Sequence, residues 1–159
     1  MTSRLLRIYL QDHHAASAGG VALARRALGP GHPVANQIAR DRETLEDVMR
    51  QLSIKPSAIK VGVVRVAERA GRLKLNGTLF KRSALSTVLE LETLVVGVRG
   101  KEALWTALQK ADVSLNDDLE ALAVSARGQA AELEALRLSA AARAFARTSG
   151  EVSGRQATA

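Results

Sequence analysis

Residues 114–147, SLNDDLEALAVSARGQAAELEALRLSAAARAFAR, decide the fold. Leu115, Leu119, Leu122, Ala126, Gln129, Leu133, Leu136 and Ala140 recur at alternating spacings of four and three. That heptad rhythm keeps one seam of a long helix buried against neighbours. It predicts a last helix from near Ser114 to about Arg147.

Working back along the chain, the same periodicity predicts four more helical segments. One starts near Ser83 or Ser86 and runs to about Ala111, with Leu91, Leu94, Val98, Trp105 and Leu108 on a stripe. The first spans about Arg4 to Leu28 and stops at Gly29-Pro30-Gly31, where both residue types break a helix. The second starts at Pro33, a favoured first-turn residue, and reaches Leu52 along Val34, Ile38, Asp41, Leu45 and Val48. After Pro56, Ser57 caps a shorter helix ending near Gly71. Residues 71–83 carry Asn76-Gly77, a turn signal, and read as an irregular connection.

Two long helices, a connection of about 30 residues, then two more define the expected architecture. Short loops make antiparallel neighbours, and a long crossover lets the third helix run parallel to the second. The expectation is an all-α, ferritin-like four-helix bundle in an up-down arrangement, with a short extra helix in the crossover. The chain of 159 residues suits one domain over residues 1–148, followed by a flexible polar tail, 149–159.

Composition agrees with helices. Hydrophobic residues make up 47% but aromatics only 3%, so the core is Ala, Leu and Val, which suits close helix packing. Cysteine is absent, which removes disulfides and thiolate metal sites. MTSRLLRIYLQDHH lacks the apolar region of a secretory signal. No apolar stretch reaches the roughly 18–20 residues needed to span a bilayer. These features lead us to expect a soluble, cytoplasmic protein with no transmembrane span.

The net charge of +7 is unevenly placed. Residues 1–82 hold 15 Lys/Arg against 6 Asp/Glu, whereas residues 83–159 hold 8 against 10. On a helical wheel of 58–70, Arg65, Arg69 and Arg72 gather opposite Ile59, Val63 and Val66. Such a face either covers the bundle with a solvated side or meets an acidic protein, nucleic acid or anionic membrane. No aromatic within it would anchor a membrane or stack single-stranded bases. Arg65, Arg69 and Arg72 are therefore polyanion-binding candidates within the basic 55–82 segment.

Four strings, YLQDHHAASAGGVALARR (9–26), ARDRETLEDVMRQL (39–52), GRLKLNG (71–77) and LELETLVVGVRGKEALW (89–105), carry a resemblance. Over roughly residues 5–140 the chain resembles an uncharacterised bacterial all-helical family of ferritin-like appearance. The resemblance implies the fold and carries no activity.

Charges that interrupt an apolar stripe must be paired or coordinated. Asp12 falls in the first helix's stripe, Leu5, Tyr9, Ala16, Gly19 and Leu23, with His13 beside it. Asp41, Glu92 and Gln129 interrupt the other three, and Lys101 lies near Val98 and Trp105. Pairing the first two helices about their turn puts Asp12 and Asp41 about 12 Å apart along the bundle, so they cannot share one metal. Counting from helix starts gives two levels: an acidic one of Asp41 and Glu92 with Gln129 nearby, and a paired network of Asp12, His13 and Lys101. Asp41 and Glu92 are candidate ligands for iron or manganese, although Glu-x-x-His, the motif of di-iron bundles, is absent. The small-residue run Ala15 to Gly20 allows either close helix approach or room for a ligand beside the acidic level.

Gly-x-Ser-x-Gly, a Gly-rich phosphate loop and His-Glu-x-x-His are also absent, and Asp12 and His13 diverge by about 100° on a helix. The leading expectation is a non-enzymatic structural or interaction role with no cofactor. A ferritin-like metal-binding or oxidative protein and a basic polyanion adaptor are the alternatives. The heptad seam of the last helix also admits a homo-oligomer, although burial in its own bundle is its simpler use.

Overall fold

Ser3 opens the first helix by accepting a hydrogen bond from the Leu6 N–H at 3.1 Å, the usual N-cap geometry. The computed structural model describes residues 3–57 and 83–153, with side chains to residue 146. Four helices carry these residues: α1 (Arg4–Leu28), α2 (Pro33–Gln51), α3 (Ala84–Lys110) and α4 (Leu119–Ser153). The short helix expected after Ser57 lies outside the described residues.

Local chemistry sets each end. Gly29 takes φ +96 and returns its N–H to Arg25 O at 3.1 Å. His32 then caps α2, its Nδ1 accepting from the Val34 N–H at 3.3 Å, with Pro33 in the first turn. α2 and α3 end alike. Ser53 (φ 56) and Asp112 (φ 51) are left-handed, and the next residues, Ile54 and Val113, bond back to Met49 O and Leu108 O. Both are Schellman stops, which satisfy the last carbonyls.

α4 begins at Leu119 rather than near Ser114. The Leu115 side chain fits the heptad, but Asn116-Asp117-Asp118 favours a cap. Asp118 Oδ1 accepts from the Ala121 N–H at 3.0 Å and so fixes the start. The helical backbone also continues through Ser153, into the segment expected as tail.

Contacts between helices give their directions. His14 meets Glu46, and Arg42 meets Ser17, so α1 and α2 are antiparallel. Arg127 meets Glu102, and Glu120 meets Gln109, so α3 and α4 are antiparallel. Near the other end of α1, Arg26 pairs with Glu90 at 3.1 Å. Gln51, at the end of α2, accepts from the Asn116 N–H at 3.0 Å and donates to Asp117 at 2.8 Å, just beyond α3. α2 and α3 therefore run parallel. The core between them holds Leu10, Val48, Met49, Trp105, Leu108 and Leu133.

Candidate functional site

The polar centre of the bundle is a triangle drawn from three helices. Asp41 sits on α2 between the buried Ile38 and Leu45, and Lys101 on α3 between the buried Val98 and Leu104. Gln129, almost fully buried, sits on α4 between Ala126 and Leu133. Lys101 Nζ donates to Asp41 Oδ2 and, at 2.5 Å, to Gln129 Oε1. Gln129 Nε2 donates to the same Asp41 oxygen at 2.9 Å and to Ser125 Oγ at 3.3 Å.

Because an ammonium only donates, it fixes the orientation of the Gln129 amide. Burial pushes the Lys101 amine below its ordinary range, and the Asp41 carboxylate opposes that push. The ammonium thus stands where a cation would have to sit to use Asp41. It is a closed ion pair with an amide clamp.

Glu92 does not join it. That side chain is exposed and lies nine residues before Lys101, about 13 Å along α3. Its charge acts on Arg137 of α4 instead. Asp41 and Glu92 therefore do not converge, and this donor set does not fit a metal. Among the described residues, no group of three or more His, Asp or Glu side chains is placed to hold an ion.

Lys101 also lies apart from the partners expected for it, Asp12 and His13. Asp12 is on the exposed side of α1. His13 packs edge-on against Tyr9, with ring centroids 4.6 Å apart and planes at 74°. Partial burial lowers the His13 pKa, and Asp12 acts weakly in the other direction. Arg65, Arg69 and Arg72 fall outside the described residues.

A second polar cluster, centred on His14, was not anticipated from the sequence. His14 is only 4% exposed. Its Nε2 lies 3.0 Å from both Glu46 Oε1 and Arg42 Nη2, and Arg42 also donates to His14 O and Ser17 Oγ. The register Leu10, His14, Ser17, Val21, Ala24 and Leu28 carries this signal, since it too follows a helical stripe. Ala15 and Gly19 of the small-residue run are buried, whereas Ala16 is exposed. On the outer side of the α3–α4 hairpin, Glu102 accepts from Arg99 and Arg127, which hold its carboxyl below the usual range.

No family model, curated protein or solved structure matches this chain. None of the helices among the described residues is long and apolar enough to cross a membrane.

Proposed function

We propose that this chain is a non-enzymatic helical-bundle protein of ferritin-like type, with a structural or interaction role and no resident metal. The observation that carries the reading is the Asp41–Lys101–Gln129 triangle. In ferritin-like metal proteins, carboxylates and histidines from facing helices project into the bundle core. Here a lysine neutralises the core carboxylate, so the polar level joins helices instead of offering an open ligand set. The parallel course of α2 and α3 supports the ferritin-like arrangement, and residence in the cytoplasm belongs to the same proposal.

Metal analysis of protein purified without chelators tests the reading, together with melting in added iron(II) or manganese(II). The expected result is no bound metal and an unchanged melting temperature. Stoichiometric iron or manganese with a raised melting temperature would overturn it.

A further inference from the structure

We propose that the outer side of α1, centred on Ala15 and Gly19, is a docking surface for the basic segment 58–82 of the same chain. That segment lies outside the described residues, but the surface does not. Leu10, Ala24 and Leu28 mark the side of α1 that faces the core. Ala15 and Gly19 stand about 140° and about 180° round the helix from Leu10. Both are nevertheless buried, Ala15 to 2% exposure, and the hydrophobic core of the described residues leaves Ala15 out. Ile8, Asp12, Ala22 and Arg26, on the same outer side, are exposed. A covered patch within an exposed side needs an occupant other than the bundle.

The points where the chain leaves and re-enters the bundle name that occupant. Lys55 O accepts from Gln11 Nε2 at 2.9 Å, so the chain departs beside α1, one turn before Ala15. It returns at Ser83, the cap of α3, and Glu90 of α3 pairs with Arg26 near the other end of α1. Gln11 and Arg26 are about 22 Å apart along the helix, and the first turns of α3 add about 10 Å. Residues 58–82 have to cover that length, and the level of Ala15 and Gly19 lies on the way.

The two ends of the chain do not reach the patch. Residues 1–2 extend at most about 7 Å from the start of α1, whereas Ala15 lies about 17 Å along it. The Arg26–Glu90 pairing sets Ala15 level with Lys101, which donates to Gln129. Residues 154–159 start about 36 Å beyond Gln129 along α4 and extend at most about 21 Å.

Size and charge fit as well. Ala15 and Gly19 carry little or no side chain, so another backbone can approach closely. Ile59, Val63, Val66 and Ala70, spaced four, three and four residues apart, supply an apolar side for that approach. The segment holds seven Lys/Arg against Glu68 alone, and Asp12 stands one turn from Ala15. The run of small residues in α1 thereby gains a packing reason.

Paramagnetic broadening in the full chain tests the proposal, since the chain has no cysteine of its own. A nitroxide on Ala22→Cys should broaden the Val63 and Val66 amides severalfold more than one on Val124→Cys, on the outer side of α4. The effect should persist when the labelled chain is diluted with wild type that is invisible to the measurement. Adding Gly19→Leu, which fills the seat, should abolish it while the helical spectrum is kept. Equal broadening from the two labels, or none from Ala22→Cys, overturns the proposal. Broadening that survives Gly19→Leu in a folded chain overturns it too. Broadening lost on dilution assigns the surface to a second copy and overturns it as well. Bound iron or manganese would overturn the metal-free reading above but not this seat.

Discussion

Lys101 on α3 donates to both Asp41 on α2 and Gln129 on α4, so one ammonium ties three helices at one level. Gln129 completes the arrangement by donating back to Asp41 at 2.9 Å. A buried polar network is stable only when each member is satisfied. Gln129→Leu would leave Lys101 and Asp41 each one bond short. The expected loss is about 1–3 kcal/mol in urea unfolding; an unchanged midpoint would show that the amide clamp is dispensable.

His13 makes stability depend on pH. Burial places its folded pKa below the ordinary 6.5, so the unfolded chain takes up the proton first as the solution is acidified. The contribution is therefore present above that ordinary value and is lost as pH falls through the folded one. His13→Phe keeps an edge-on partner for Tyr9 and removes the titration. The variant should lose less stability than wild type between about pH 7.5 and about pH 5.5. Glu102 and Glu134, held low by arginines, respond only at more acidic pH. Equal slopes for the two proteins would contradict this assignment.

Backbone conformation offers gains in stability. A Cβ at Gly20 meets nothing within 4 Å, so Gly20→Ala should stabilise α1 by about 0.5–1 kcal/mol. The reverse exchange applies at the helix stops. Ser53 and Asp112 hold left-handed φ values, where glycine carries no Cβ penalty. Ser53→Gly and Asp112→Gly should each raise stability by up to about 1 kcal/mol. Thermal unfolding of the three variants checks both directions.

Trp105 is the only tryptophan and is 1% exposed, yet its indole N–H has no hydrogen-bond partner among the described residues. Trp105→Phe therefore removes volume but no polar contact. Its cost should fall well short of the roughly 3–5 kcal/mol expected for Trp105→Ala. Equal losses for both substitutions would point to a polar role for the indole.

Much of the fold was legible because Gly, Pro and Ser act locally. Gly29-Pro30-Gly31 ended α1, Pro33 began α2, and Ser83 capped α3, as their backbone preferences require. The start of α4 was misplaced because Leu115 continues a period that the Asp118 cap cuts short. Sites were harder to read. One residue turns a helix by about 100°, so Glu92, next to the buried Leu91, points outward. Levels counted from helix starts also assumed equal offsets, although α2 has 19 residues and α3 has 27. In α1 the stripe read through Asp12 is not the buried one; packing buries Leu10, His14 and Ala24 instead, and alanines and glycines on every side leave little contrast between the two registers.

The central claim is that Asp41 and Lys101 hold the bundle together as an ion pair, and a double-mutant cycle tests it most directly. Asp41→Leu, Lys101→Met and the double variant would be compared with wild type by urea unfolding. Each single change strands a mostly buried charge and should cost about 2–4 kcal/mol. The double variant should cost clearly less than their sum, giving a coupling of about 1–3 kcal/mol. Losses that simply add, with no coupling, would contradict the account.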